Sequence, residues 1–384
     1  MREIFVDTTE KLEQLCAALQ GSEWLALDTE FIREKTYYPK LCLIQISNDD
    51  IAACVDPLVL ADLQPLLDIL YDDRILKVWH AARQDLEIFL HDWQKIPLPL
   101  FDTQAAAALL GYGDQIGYAN LAKRLLDIEL PKDQSRTDWA ARPLNEQQTR
   151  YALDDVIYLG ALYVKMRDEL SEHNRLPWLA ADFALLADPA TYAPDPQDAW
   201  QKVKGRQPLR GRQLAVLQAL AAWREQSARE RDLPRKWLLK DDVMLELCRR
   251  LPRDLDAISQ VRGMEPSLIR HAGKPLLEII QQACQLERDA WPSDQQRAKP
   301  LSHQQAAMVD LLSAALRLIA DQHQLSPQAI GTHKELAKLV RGESCGLLEG
   351  WRKTIAGDPL QAILHGKQQL HNENGQLCII GSNQ

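Results

Sequence analysis

Five short apolar runs, at 2–6, 24–31, 41–47, 51–55 and 75–79, fall within the first 80 residues of this 384-residue chain, and no strand pattern follows after about residue 115. Runs of that length read as β-strands. Helical periodicity separates them at 9–20 and 61–70, and Arg83 to Trp93 and Thr103 to Leu110 also read as helices. A longer periodic pattern runs from Asn145, a residue suited to capping a helix N-terminus, to about Ser171. Strands first, with helices wrapping them, predict a three-layer α/β domain over residues 1–175.

The rest of the chain reads differently. Residues 188–196 hold three prolines (Pro189, Pro194, Pro196) and a basic, glycine-containing stretch follows, which predicts an extended linker over 186–209. From 210 onward the pattern is helical throughout. Ala228, Leu233, Leu238, Met244, Leu247 and Arg249 recur at an offset of 92 residues as Ala320, Leu325, Ile330, Leu336, Leu339 and Arg341. The spacing predicts two helical bundles, at 210–290 and 300–375, parted between Trp291-Pro292 and Pro300.

Charge divides along the same lines. Counting lysine and arginine against aspartate and glutamate, residues 1–195 carry −15, residues 196–300 carry +6 and residues 301–384 are neutral. Within 202–240 the balance is +8. An acidic body with a basic segment suits a metal-dependent enzyme joined to a module that binds polyanions. No apolar run is long enough to span a membrane, and the N-terminus is unlike a signal peptide. Seven scattered cysteines without C-x-x-C spacing predict reduced thiols in a cytoplasmic protein, with no zinc site.

The chemistry centres on Trp24-Leu-Ala-Leu-Asp28-Thr-Glu30-Phe31. In a strand, Leu25, Leu27, Thr29 and Phe31 share one face, and Asp28 and Glu30 project together from the other. Neighbouring carboxylates repel, so this is either a solvated strand end or a cation site. Two more acidic stretches favour the cation. His80-Ala-Ala-Arg-Gln-Asp85 lies where a strand hands over to a helix, and Tyr151-Ala-Leu-Asp154-Asp155 lies within the long helix. Tyr151 and Asp155, four residues apart, share a helix face. Asp154 is turned about 100° away, toward solvent or an arginine.

Four carboxylates and a phenol converging on one cleft suit phosphodiester hydrolysis. Two divalent ions about 3.5–4 Å apart stabilise the attacking and leaving oxygens of such a displacement. An all-carboxylate donor set favours Mg²⁺ or Mn²⁺ over zinc. Tyr151 could orient or help deprotonate the attacking water.

These residues carry a resemblance. Asp-x-Glu, then H-x₄-D, then Y-x₃-D resemble the DEDD exonucleases, in the branch with tyrosine in the last motif. Arg136-Thr-Asp-Trp139, Arg142-Pro-Leu144 and Tyr151 to Val156 are similar to the ribonuclease D family within it. Leu220-Ala-Ala-Trp223-Arg224 and Arg229 to Pro234 resemble the HRDC helical module. The resemblance implies a ribonuclease-H-like exonuclease fold followed by all-α HRDC-like domains. It implies removal of nucleotides from RNA 3′ ends as 5′-mononucleotides, and maturation of tRNA precursors. Under it, Asp28, Glu30, Asp85 and Asp155 are metal ligands and Tyr151 positions the water, with no motif position departing from the pattern.

Other residues have plainer readings. His80 is structural if Tyr151 does the work at the water. Tyr37-Tyr38-Pro39 could stack on bases or pack a loop. Trp79 reads as core and Gly111-Tyr-Gly113 as a turn. No G-x₄-G-K-[ST] occurs, which excludes a helicase motor. The basic segment 202–240 is expected to bind RNA, with protein docking as its alternative. A DNA 3′–5′ exonuclease and a non-catalytic RNA- or protein-binding scaffold remain the competing functions.

Overall fold

A computed structural model describes residues 1–131, 137–292 and 300–381. Two compact units divide it: residues 1–30 and 41–188 with 300–381 form the first, and residues 31–40 with 189–292 the second.

The first unit is built on a six-stranded sheet. In chain order its elements are β1 (Arg2–Val6), α1 (Thr9–Leu19), β2 (Trp24–Ile32), β3 (Lys40–Ser47), β4 (Ile51–Val55), α2 (Gln64–Leu70), β5 (Leu76–Trp79), α3 (Arg83–Trp93), β6 (Leu100–Asp102), α4 (Thr103–Leu109), α5 (Tyr118–Leu126), α6 (Glu146–Ile157), α7 (Leu159–Glu172) and α8 (Ala180–Ala187). The sheet order is β1-β4-β3-β2-β5-β6. β4 runs parallel to β1 and antiparallel to β3, and β2, β5 and β6 run parallel. β2 is interior, and Leu25, Ala26 and Leu27 are fully shielded from water. An unbroken buried run of this kind is what a strand covered on both faces requires.

Strand β6 is the one element of this sheet without a counterpart in the sequence reading, because Leu100-Phe-Asp is too short for alternation to register. The helix expected from Asn145 to Ser171 is two helices, broken at Tyr158. Just past the break, Gly160 packs against the Trp24 ring so closely that a Cβ there would lie 2.0 Å from it. The break and the glycine together let a helix lie flat over the start of β2.

Residues 300–381 of this unit hold α14 (His303–Gln322), α15 (Pro327–Ile330), α16 (His333–Val340), α17 (Gly350–Arg352), α18 (Asp358–Leu364) and a hairpin of β7 (Gln368–Glu373) and β8 (Gln376–Gly381). The hairpin corrects the all-helical expectation after residue 210. Its turn is Asn374-Gly375, both residues at positive φ (53° and 88°), the backbone that a two-residue hairpin demands. Nor does this segment stand free as a separate bundle. Trp178 stacks on Trp351 with centroids 4.6 Å apart, and Arg175 donates to both Leu109 O and His323 O.

The second unit holds α9 (Arg212–Arg231), α10 (Arg235–Leu238), α11 (Asp241–Arg250), α12 (Leu255–Ser259) and α13 (Pro266–Gln285). Its core corrects the linker expectation. Trp200, Val203 and Leu209 are buried among Leu217, Leu220, Met244 and Leu276, so the chain joins the core before residue 210. The segment Pro196–Lys202 is a 3₁₀ turn rather than extended chain, because Trp200 has a hydrophobic slot to fill. The repeat relates α9–α11 to α14–α16. Ala228 and Ala320, Leu238 and Ile330, Met244 and Leu336, and Leu247 and Leu339 are buried alike.

Candidate active site

The ladder between β2 and β5 covers Trp24 to Ala26, with Ala26 opposite Val78. Asp28 and Glu30 follow beyond the last of these rungs, toward the carboxyl end of β2, where parallel strands present their ligands. At the same level β5 gives way to α3 through His80-Ala81-Ala82. Ala81 takes a left-handed conformation (φ 59°), unusual for a residue with a side chain. Asp102, buried on β6, holds that turn by accepting from Ala81 N (3.1 Å) and Ala82 N (3.0 Å), and it caps α4 through Gln104 N (2.8 Å). The turn delivers Asp85 to the first turn of α3, where the helix dipole favours a carboxylate.

Helix α6 supplies the third stretch. Asn145 and Gln148 form a reciprocal cap at its start, and Gln148 also donates to Thr137 Oγ1 (3.0 Å). Ser47 of β3 donates to Val156 O (2.8 Å) near its end. Trp139 is buried with its ring tilted against Tyr151, centroids 6.1 Å apart. Arg142 fixes the Trp139 backbone by donating to its carbonyl (2.7 Å), while pairing with buried Asp56.

Carboxylate oxygens of Asp28, Glu30 and Asp155 all lie within 4.8 Å of one another. Asp85 stands outside this triplet. It is buried, accepts from Thr29 Oγ1 (2.5 Å), and is near enough for its charge to act on Asp28. Burial, then the charges of Asp85, Asp155 and Glu30, push Asp28 well above the usual carboxylate range. Burial first and the neighbouring acids second raise Glu30 to about 9. Burial raises Asp85 and Asp155 to about 7 each, against the hydrogen bonds that Thr29 and Tyr151 give them.

Among the described residues no lysine or arginine pairs with any of these four. Two unit charges at such spacing repel by about 3–4 kcal/mol at an effective dielectric near 20. A hard divalent cation fits this oxygen-only donor set and relieves that repulsion.

The Tyr151 hydroxyl donates to Asp155, and burial followed by the acidic charges raises its pKa. It is a protonated donor, able to orient a water. Asp154 turns away and pairs with Arg150 (2.8 Å), which also holds Glu3. His80 is engaged on both nitrogens, with Thr103 Oγ1 (2.9 Å) and Ile116 O (3.0 Å), as a structural residue would be. Trp79 is core. Tyr37 is buried in the second unit, where its hydroxyl donates to Glu225, and is no open stacking platform. Arg136 lies outside the described residues.

Three supporting residues escape the sequence reading. Tyr118, half-buried beside Asp28 and Asp155, donates to Asp154 O (2.8 Å). It has no periodic partner to mark it. Asp102 carries a signal, since Asp-Thr before an alanine run is a helix-cap pattern. Thr29 falls on the apolar face of the strand pattern, which hides the use of its hydroxyl. A hollow of about 270 Å³ opens beside Tyr151 and Asp155, lined also by Tyr118, Asn120 and Leu130.

Comparisons with known proteins agree with this geometry. The 3'-5' exonuclease family model matches residues 4–171, and the HRDC domain model matches residues 213–280. Ribonuclease D of Gluconacetobacter diazotrophicus is 39% identical over 96% of this chain and 94% of its own length. Ribonuclease D of Zymomonas mobilis is also 39% identical, over 96% and 95%. Among solved structures, RNase D of Escherichia coli, an exoribonuclease involved in structured RNA processing, superposes with a TM-score of 0.83 at 33% identity, covering 95% of this chain and 99% of that one. The catalytic core of RRP6 from Trypanosoma brucei gives 0.57 at 27% identity, covering 73% and 79%. With such identity sustained along nearly its full length, the chain belongs to the ribonuclease D family of 3′–5′ exoribonucleases.

Proposed function

We propose that Asp28, Glu30, Asp85 and Asp155 hold two divalent ions, Mg²⁺ or Mn²⁺, and that Tyr151 positions the water that attacks the last phosphodiester of an RNA 3′ end. The products are 5′-mononucleotides, and the substrates are cytoplasmic tRNA precursors and other structured RNAs with a free 3′ end. The observation that carries this reading is the triplet of half-buried carboxylates within 4.8 Å, uncompensated by any described cation, with a phenol hydrogen-bonded to one member.

When bound, the ions would supply positive charge for the phosphate oxygens and lower the pKa of water. The chain's own residues do the rest. Tyr151 is held by Trp139 and Asp155 so that its hydroxyl can orient a water. The 270 Å³ hollow beside it suits the terminal nucleoside, with the Tyr118 ring and Leu130 as apolar walls and Asn120 as a polar contact. Thr29 keeps Asp85 fixed, and Asp102 shapes the turn that carries it.

Residues 1–175 are the catalytic domain in this reading, and the basic segment 202–240 with its bundle, at 210–290, binds RNA through phosphates. The test is incubation with 5′-end-labelled RNA and DNA, and with 3′-blocked RNA, with Mg²⁺, Mn²⁺ or chelator. A ladder shortening from the 3′ end of RNA only when an ion is present supports the reading. Cleavage in chelator, or of the blocked RNA, contradicts it.

A further inference from the structure

One side chain of the second unit is out of place as packing. Trp237, on α10, is 60% exposed, the most exposed of the large hydrophobic residues described. It stands between two hollows of that unit, of about 630 and 420 Å³, and lines both, as does Lys236. The smaller has an apolar floor that includes Leu239 and Val243, a second aromatic, Trp223, and a cationic rim of Arg231, Lys236 and Lys240. None of these three cations enters a side-chain hydrogen bond or ion pair among the described residues, unlike Arg224, Arg229 and Arg235 nearby.

The internal repeat shows what the fold itself requires at these places. Asp232, which caps α9, is left-handed (φ 48°), and so is Gln324, two residues past the end of α14 (φ 51°). The buried positions that follow match, Leu238 with Ile330 and Met244 with Leu336. The exposed ones do not. At the 92-residue offset, Lys236, Trp237 and Lys240 correspond to Gln328, Ala329 and Thr332. The helical arrangement forms without the exposed indole and the two lysines, so their presence in the first copy answers to something other than folding.

We propose that Trp237 is a stacking platform for unpaired nucleotides of the RNA, with Lys236, Lys240 and Arg231 gripping the flanking phosphates, and that of the two related bundles only the first has this site. An indole offers a flat π-face to any base, and free ammonium and guanidinium groups beside it meet a phosphate chain without first breaking an internal pair. The inference deepens the reading of the 202–240 segment as RNA-binding and rests on it. It names the ligand as single-stranded rather than duplex RNA.

The experiment measures binding of the full-length protein, in chelator to prevent hydrolysis, to a fluorescent single-stranded RNA and to a blunt RNA duplex across a range of salt. Three variants are compared with the wild type: Trp237→Ala, Trp237→Phe, and a triple variant given the second copy's residues, Lys236→Gln with Trp237→Ala and Lys240→Thr. Trp237→Ala is expected to weaken single-strand binding roughly 5- to 150-fold, the range for loss of one base–aromatic stack. Trp237→Phe restores most of it, and duplex binding is unchanged. The triple variant also has a salt slope shallower by about 0.7 for each phosphate it no longer grips. Far-UV circular dichroism and the melting temperature stay at the wild-type values, which shows that the variants are folded. Unaltered single-strand affinity in Trp237→Ala, or an equal loss on duplex, overturns the stacking site. A wild-type protein that binds neither RNA overturns the RNA-binding role of the segment, and leaves the groove to a protein partner.

Discussion

Thr29 lies between the two carboxylates of its strand and gives its hydroxyl to a third, Asp85, 56 residues away. Asp28 and Glu30 point from one face of β2, while the residue between them reaches the helix start that carries Asp85. This hydrogen bond joins the acidic group that stands outside the oxygen triplet to the strand that supplies two of its members. Thr29→Val keeps the shape and removes the donor. It is expected to lower turnover by about tenfold or more, since a hydrogen bond to a charged group is worth about 1.5–3 kcal/mol. Thr29→Ser retains the donor and should stay within about twofold. Steady-state kinetics on a short RNA separate the two.

The acidic cluster makes stability depend on pH in the direction opposite to ordinary acid denaturation. Folded-state pKa values of about 7 for Asp85 and Asp155 and about 9 for Glu30 lie above those of the unfolded chain, near 4. The native state therefore holds more protons between these limits, and the contribution of these groups is lost as pH rises from about 4 through 9. In chelator, the cluster's contribution to thermal stability should fall from pH 5 to pH 9, more steeply in the wild type than in Glu30→Gln. With Mn²⁺ present the difference should vanish. A cluster contribution that grows with pH in chelator would show that these carboxylates are not strained.

Tyr151→Phe removes one hydroxyl and keeps the ring against Trp139. A loss in turnover on the order of 10²–10⁴-fold suits a proton-handling group, and orientation alone would give less. KM should barely move. Trp139→Leu is expected to cost turnover without touching any ligand, because it frees the Tyr151 ring. Pre-steady-state rates with Mg²⁺ check both.

Packing at the base of the catalytic strand gives a stability prediction. A Cβ at Gly160 would collide with the Trp24 ring. Gly160→Ala should destabilise by about 1–3 kcal/mol, as overpacking does. Combining it with Trp24→Leu should recover part of the loss, which denaturant melts of the four chains of the cycle would show.

Much of this is legible in the sequence, for reasons that lie in particular residues. Asp28 and Glu30 announce themselves because paired carboxylates on an otherwise apolar strand need an explanation that periodicity does not supply, and Asp85, Tyr151 and Asp155 stand out through the spacing of the two acidic stretches that follow. Helix pitch alone separates Asp154 from Asp155, and Arg150 is the arginine it meets. What stays hidden depends on contacts distant in sequence. Asp102 acts through the backbone of Ala81 and Ala82, and nothing in its neighbourhood points to them. Trp200 looks like linker because its proline-rich setting masks a lone aromatic that fills a core. The hairpin at 368–381 escapes notice although Asn374-Gly375 is a strong turn signal, because β7 is mostly polar and neither strand has a buried residue.

The claim on which the rest depends is that the acidic cluster binds divalent ions. Thermal denaturation of wild type and Asp28→Asn, in chelator and then with increasing Mn²⁺, tests it most directly, because a ligand bound only by the folded state raises the melting temperature by mass action. The wild type should melt lower than the variant in chelator, rise by several degrees with Mn²⁺ and overtake it, while Asp28→Asn barely responds and does not cleave RNA. An equal Mn²⁺ shift in both proteins, with turnover retained in the variant, would contradict the account.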